Sequence, residues 1–470
     1  MPSIPARRLR QLLGAPDEGR AVFEWLADRL VVLWSDGRLE PGARLPAERA
    51  LAQELGVSRG TVVRALAVAE SRGVVRARRG AGRVVAPVFG GAVPMEPLAP
   101  GIRSAGPGEI DLRTTLLPPH PGLNEALRAV VEELAGDPGQ RVPDAGGAPP
   151  LVQQIVEHYE ARGLATSPAQ LVVVNGAVSG TFQAIKSLVR PGGRVAVDTP
   201  HYPNTFRAVE AAGARCVPVD ATSDLPCART GKDHNGRRWG TALLEVVRSG
   251  AVDAAVLTAD FQNPTGMLMT AEAREALLVA AAATGTVLVV DETLVGMNWR
   301  HLPMPAPLAG RTATTVLVGS TSKSHWSGLR VGWIRAGCEA AAKIRRARLG
   351  VDLGTPILEQ RLAARLLSST GPAPVDLVAS RYDALTAALR RRLPGLEYPV
   401  PDGGLSLWTT LPDLRADELA RRARKEGLLL TAGALFSPTG HGWPDSIRLP
   451  FSAPEHDLDR AVDVLTDLLP

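Results

Sequence analysis

Residues 314–333 read TTVLVGSTSKSHWSGLRVGW, and the change of character at Ser320 decides which fold the chain can adopt. The first half is a short, uncharged, Val-rich run, the composition of a strand covered on both faces. The second half is a turn dense in hydroxyls, with Lys323 near its middle and Arg330 seven residues beyond. Runs of the same kind recur upstream at LVVV (171–174), RVAVD (194–198), DAAVL (253–257) and TVLVVDE (286–292). Helical patterns such as GTFQAIKSLV and AEAREALLVAAAAT lie between them. Short buried strands alternating with helices imply a three-layer α/β domain around a parallel sheet, assigned here to residues 111–345. Beyond about residue 345 the pattern loosens into helices, with a short strand pair at GGLSLWTTL and GLLLTAG and a last strand at IRLPF. Residues 346–470 are therefore expected to form a smaller α+β lobe.

Upstream of the sheet, residues 86–110 carry five Pro and five Gly without any period of 2 or 3.6, so 87–110 read as an extended linker. Residues 1–86 form a separate unit whose charge sets it apart. They hold fifteen Arg, no Lys and nine Asp plus Glu, a net +6, against −1 for the remainder of a chain whose total is +5. A compact basic unit calls for a polyanion, and the near-neutral body does not. No run of eighteen residues is free of polar interruption, and the N-terminal MPSIPARRLR is not followed by an apolar core of a signal peptide, so neither a membrane span nor secretion is expected. Three cysteines, Cys216, Cys227 and Cys338, are too few for a disulfide framework and lack metal-ligand spacing. The chain reads as cytoplasmic.

Within the head, Val22, Phe23, Leu26, Leu30 and Leu33 repeat at helical spacing. A second helix is expected in LPAERALAQEL with Pro46 at its start, followed by a tight turn at Gly56 and Val57. Ser58 then caps a third helix, SRGTVVRALAVAESRG, ending at Gly73, and VVRARRGAGRVVAP supplies two short strands around a basic tip. Helix, glycine turn, capped helix and basic hairpin together make a winged helix-turn-helix. Ser58, Arg59 and Thr61 fall on the first turn of the recognition helix, Arg49 on the helix before it, and Arg79 and Gly80 at the wing tip. Arginine in such places donates bidentately to guanine or clamps a phosphate.

LPAERALAQELGVSRGTVVRAL resembles the winged helix-turn-helix of the GntR family of bacterial transcription regulators over roughly the first 85 residues. That resemblance implies that Arg49, Ser58, Arg59, Thr61, Arg79 and Gly80 contact double-stranded operator DNA. Val63 stands where many family members carry Arg.

A cofactor that bonds a lysine amine through its aldehyde needs that lysine, a phosphate cradle, an anion opposite its ring nitrogen and a flat group against the ring. Lys323 supplies the amine, and Ser320, Ser322 and Arg330 surround it with groups suited to a phosphate. Ala177 and Val178 open a helix whose free N–H groups would add to the cradle. Asp291 ends the strand VLVVD, Asn263 lies in FQNPTG, and Tyr202 in TPHYPN offers a ring to stack. NGA, PxY, NPTG, strand-terminal Asp and SxSKxxxxGLR follow one another in an order that resembles fold-type I, aspartate-aminotransferase-like enzymes over residues 110–470. The resemblance implies pyridoxal 5′-phosphate as cofactor and gives Arg448, in SIRLPF, the α-carboxylate of a substrate or effector. Thr293 and Leu294 stand where many relatives carry a Tyr, the Arg often found after the Leu of GGAPPLVQQI is absent, and Ser406 replaces a common His.

A GntR-type head joined by a linker to an aminotransferase-like body is the arrangement of the MocR subfamily. The fold class so implied is multidomain: a winged helix-turn-helix head, a three-layer α/β pyridoxal-phosphate-dependent transferase fold of type I, and a smaller α+β lobe. The function implied is a homodimeric transcription regulator that senses an amine, an amino acid or a B6-related effector in the body and binds DNA with the heads. A working aminotransferase tethered to DNA, and a body retained only for dimerisation, are the alternatives.

Overall fold

The computed structural model describes residues 3–16, 21–35, 38–40, 42–78, 82–86, 105–106, 108–136, 146–221, 240–309, 315–369, 374–412, 414–440 and 442–469. The head consists of α1 (Ala6–Leu13), α2 (Val22–Ser35), α3 (Glu48–Leu55), α4 (Arg59–Ser71) and an antiparallel hairpin of β1 (Val75–Arg78) and β2 (Gly82–Val85). Leu9 and Leu13, one turn apart on α1, join Trp25, Leu26, Leu30, Leu51, Val62 and Leu66 in one buried core. The sequence reading passed over α1 because three arginines crowd its two buried leucines. It also placed Pro46 at the start of α3, whereas Ala47 is the N-cap and Glu48 the first helical residue, so the proline lies just outside the helix. Ser58 does cap α4: its Oγ accepts from Thr61 N–H at 3.0 Å. Arg79, Gly80 and residues 87–104 of the linker lie outside the described residues.

In the body, seven strands form one sheet in the order β4-β10-β9-β8-β7-β5-β6. Their ranges are β4 (Leu171–Val174), β5 (Arg194–Thr199), β6 (Arg215–Asp220), β7 (Ala254–Leu257), β8 (Val287–Asp291), β9 (Thr315–Ser320) and β10 (Gly332–Arg335). Pairing is parallel from β9 to β6 and antiparallel around β10, so the sheet is mixed rather than the parallel one expected. Two of these strands depart from the Val-rich pattern of the others, for separate reasons. β10, GWIR, ends in an arginine whose guanidinium is buried against Ala165 O at 3.1 Å. β6, RCVPVD, contains Pro218, which an edge strand tolerates because one row of its N–H groups has no partner strand.

Alternate residues of these strands feed two cores, so the sheet is covered on both faces. One face packs against α5 (Leu123–Gly136), α6 (Pro149–Ala161), α9 (Thr241–Arg248), α10 (Ala271–Thr284) and α12 (Ile357–Ser369); the other packs against α7 (Ala177–Leu188), α8 (Pro203–Ala211) and α11 (Cys338–Arg348). The remaining helices, α13 (Val375–Arg392), α14 (Ala416–Lys425) and α15 (Glu455–Leu468), share a third core with the strands of the small lobe. There β11 (Ser406–Thr410) and β13 (Thr431–Ala432) flank β14 (Ser446–Pro450), while β12 (Leu428–Leu429) pairs in parallel with β3 (Ile110–Asp111). GGLSLWTTL and GLLLTAG are therefore not partners of each other; the first pairs with the SIRLP strand, and the second divides between that strand and the segment leaving the linker.

Head and body meet along a tight seam. Gly73, at φ +72°, closes α4 against the loop before β14, where a Cβ on Gly73 would lie 1.9 Å from Thr439 Oγ1. Trp443 N–H donates to Ser71 O at 3.3 Å, and Arg72 pairs with Asp28 of α2 while its Nε lies 3.7 Å from Asp220 at the end of β6. Among the described residues no helix is long and apolar enough to cross a membrane.

Candidate functional site

The ends of β8 and β9, the start of α7 and the turn before α8 open onto one cavity of about 570 Å³. Ala177, Val178, Tyr202, Asn263, Asp291, Ser320, Ser322, Lys323 and Arg330, all singled out in the sequence, line it. Each is delivered by a defined local structure. Gly176, at φ +85°, is the N-cap that turns the chain from β4 into α7, leaving the first N–H groups of that helix without intrahelical partners. A Cβ at Gly176 would lie 2.6 Å from Nη2 of Arg330, so the guanidinium rests directly on the backbone at the helix start. Arg330 takes a left-handed backbone, φ +52°, after a short 3-10 turn. Helix start, guanidinium and the Ser320 and Ser322 hydroxyls, 2.9 Å apart, thus converge on a pocket of donors suited to a phosphate.

Lys323 follows in the same turn. Its Nζ donates to the carbonyl and to Oγ1 of Thr115, at 3.0 and 2.9 Å. Burial, reinforced by Arg448 and Arg330 and opposed by Asp291, pulls the amine down to about 8. Asp291 closes β8, and its Oδ1 accepts from the Thr293 N–H at 2.8 Å and from the Thr293 hydroxyl at 2.5 Å. Thr293 therefore caps the aspartate. Behind it, the buried Glu292 accepts from Tyr159 OH at 2.8 Å and pairs with Arg162 at 2.9 Å. Desolvation raises the Glu292 carboxyl, with Arg162 acting against it. Tyr202 accepts from the Asn204 side-chain amide at 2.7 Å, and burial raises its phenol.

Arg448 lies on the central strand β14 of the small-lobe sheet and is 2% exposed. Its Nη1 donates to Asn263 Oδ1 at 3.3 Å, its Nη2 to Arg113 O at 2.5 Å, and its guanidinium sits 5.0 Å from the ring centroid of Phe436. Nε is buried with no hydrogen-bond partner. Burial lowers this guanidinium to about 10. A buried cation with an unfilled donor beside Asn263 has the charge and donor geometry that a carboxylate could meet.

Three contributors were not legible beforehand. Thr115 lies in a stretch with no motif, Glu292 reads as a strand end, and Phe436 ends a short 3-10 turn. Contact across the fold, which no local spacing encodes, makes each of them part of the site.

The head presents a second concave surface, about 710 Å³, between α3, α4 and the hairpin. Arg44, Arg49, Arg59, Arg78 and Arg83 line it with Glu48. Arg49 and Arg59 are exposed. Ser58 and Thr61 flank the start of α4 but bond each other, Oγ to Oγ1 at 2.8 Å, in addition to the cap.

Residues 117–465 match the model of the aminotransferase class I and II family. The chain belongs to that family. Its members depend on pyridoxal phosphate, and the Lys323, Arg330 and Asp291 constellation has the donor set that this cofactor requires. Residues 24–85 match the gntR family of bacterial regulatory proteins, so the head is a DNA-binding unit and the two parts together have the MocR-type arrangement. The chain is 29% identical to the HTH-type transcriptional regulator TauR of Rhodobacter capsulatus, over 89% of this chain and 90% of that protein. It is also 29% identical to the 2-aminoadipate transaminase of Thermus thermophilus, over 80% of this chain and 91% of the enzyme. The crystal structure of LysN, an α-aminoadipate aminotransferase of that organism, complexed with N-(5′-phosphopyridoxyl)-L-leucine, superposes with a TM-score of 0.66 at 26% identity, covering 77% and 92% of the two chains. Similarity that spans a helix-turn-helix regulator from end to end places this chain among transcription regulators rather than free-standing transaminases.

Proposed function

We propose that this regulator senses an amine-bearing carboxylate, an amino acid or a related amine, at pyridoxal 5′-phosphate held by Lys323, and converts its presence into altered binding of operator DNA. The observation that carries the reading is the joining, in one chain, of an exposed arginine-lined groove and a buried cavity where Lys323, Arg330 and Asp291 meet. When bound, the cofactor supplies an aldehyde that bonds primary amines reversibly and a ring that withdraws electrons. Arg330, Ser320, Ser322 and the first N–H groups of α7 would hold its phosphate. Asp291, kept in orientation by Thr293, would pair with the ring nitrogen, Asn263 would donate to the phenolic oxygen, and Tyr202 would cover one face of the ring. Arg448 would take the carboxylate of the effector through its unfilled Nε.

Lys323 is the exchangeable element. Held down to about 8, a useful fraction of its amine is neutral and nucleophilic at physiological pH. Thr115 offers the free amine two acceptors at its present position, so its protonated form would be held there. We further propose that the protein is a cytoplasmic homodimer, as the resemblance implies, and that its effector response outweighs any turnover.

The test uses purified full-length protein. A visible absorbance band that forms with pyridoxal phosphate and is absent from Lys323→Ala supports the reading, together with retention of genomic duplex fragments that an amino acid releases or strengthens. Protein that stays colourless, or DNA binding indifferent to every amine while the band responds, would overturn it. Sustained conversion of an amino acid with a keto acid would favour the enzyme.

A further inference from the structure

The groove of the head holds one carboxylate among its arginines. Glu48 opens α3, where the partial positive charge of a helix N-terminus favours an anion. Its two oxygens take different partners. Oε2 accepts from Nε and Nη2 of Arg59 at 3.2 and 3.0 Å, and Oε1 accepts from Nη1 of Arg83 at 2.6 Å. Arg59 is the first residue of α4 and Arg83 lies on β2, so a single side chain ties together the three elements that shape the groove. Arg83 is steadied in turn by Glu70, 3.3 Å from Nε, and the other Glu70 oxygen accepts from Ala77 N–H of β1 at 2.8 Å. The hydrogen bonds from Arg59 lead in holding the Glu48 carboxyl below its ordinary value, so it is ionised at neutral pH.

Stability does not account for this arrangement. The Arg59 side chain is 72% exposed, and pairs in such settings contribute little to folding. The consequence lies in what the arginines can do. A guanidinium free to swing condenses on any phosphate and so binds every duplex alike. One whose Nε edge is engaged by a fixed carboxylate has less charge to offer a phosphate, which that carboxylate also repels. It is held at the start of the recognition helix, where base edges come within reach.

We propose that Glu48 is a specificity-determining positioning residue: as the internal counter-ion of Arg59 and Arg83, it suppresses sequence-independent phosphate binding and keeps Arg59 oriented for reading bases. The proposal rests on the DNA-binding function of the head.

The experiment compares the full chain with its Glu48→Gln variant on two duplexes, one selected by the wild-type protein from a randomised library and one of scrambled sequence, by fluorescence anisotropy over a range of KCl concentrations. Glu48→Gln is expected to tighten binding to the scrambled duplex about tenfold and to steepen its salt slope by about one, while affinity for the selected duplex changes by about twofold or less. Glu48→Asp, which keeps the charge, is expected to retain the wild-type salt slope. In an Arg59→Ala background the Glu48→Gln effect on the scrambled duplex should shrink to about threefold or less, because the coupled partner is gone. An unchanged scrambled-duplex affinity and slope, or parallel weakening on both duplexes, would overturn the proposal. A wild-type chain that selects no duplex at all would instead defeat the DNA-binding reading on which it stands.

Discussion

Head and body both work with cations, yet they deploy them in opposite ways. Arg59 lies 72% exposed over an open groove, whereas Arg448 is 2% exposed beneath an aromatic ring with a donor left unfilled. An exposed arginine interacts through a screened field, so its contribution depends on ionic strength and on the counter-ion held beside it. A buried one has already lost its hydration, so whatever replaces water must match it in charge and geometry. The head is thus suited to a large polyanion of repeating charge and the body to one small anion.

Variants of the body should show the larger effects. Arg448→Leu would remove the buried cation proposed to meet the effector's carboxylate, an expected loss of about 2–5 kcal/mol. Spectral titration of the cofactor-loaded protein with a responsive amino acid should show affinity falling by that amount, with little change on adding salt. A loss that vanishes at high salt would make Arg448 a surface-like cation and erase the contrast.

The pH dependence comes next. Only the neutral Lys323 amine attacks an aldehyde, so the rate of cofactor attachment should rise about tenfold per pH unit below about 8 and level off above it. The same depressed value acts on stability. The folded chain binds fewer protons than the unfolded one between about 8 and the ordinary lysine value of 10.5, so the penalty of burying the ammonium is complete below that window and disappears as pH rises through it. Stopped-flow loading in the absence of DNA gives the profile; one that rises beyond pH 10 would mean the amine is not desolvated.

For the head, Arg59→Ala is expected to cost about 1–3 kcal/mol on a selected duplex while leaving cofactor loading untouched. Gel-shift and absorbance measurements on the same preparation check both halves. The smallest effect belongs to Ser58→Ala, which removes the cap of α4 and should lower the stability of the head by about 0.5–2 kcal/mol in a thermal melt. A Ser58→Ala protein that melts normally but loses DNA would shift the serine from cap to contact.

The same contrast explains what the sequence disclosed. Val-rich runs such as 316–318 stand out because a strand buried on both faces admits almost nothing polar, and Lys323 stands out because it follows one. β10 and β6 were hidden because Arg335 and Pro218 break that rule, the first by snorkelling to Ala165 O and the second by lying on an edge. In the site, residues on one turn, such as Ser320, Ser322 and Lys323, were legible from spacing. Thr115, more than two hundred positions from the lysine it binds, was not. Thr293 is visible in the sequence only as a departure, and its capping of Asp291 depends on the turn that follows β8. In the head nearly everything functional is local, apart from the Glu48 clasp, which spans eleven residues to Arg59 and thirty-five to Arg83.

The contact of Gly73 with Thr439 fixes the far end of the recognition helix to the loop that leads into Arg448's strand. With thirteen residues, α4 is a rod about 20 Å long, pinned at its tail and bearing Arg59 at its tip. A tilt of about 10° at that hinge sweeps the tip through about 3.4 Å, slightly more than the length of a hydrogen bond. Movements too slight to notice at the base of this lever are therefore as large as a hydrogen bond at its point.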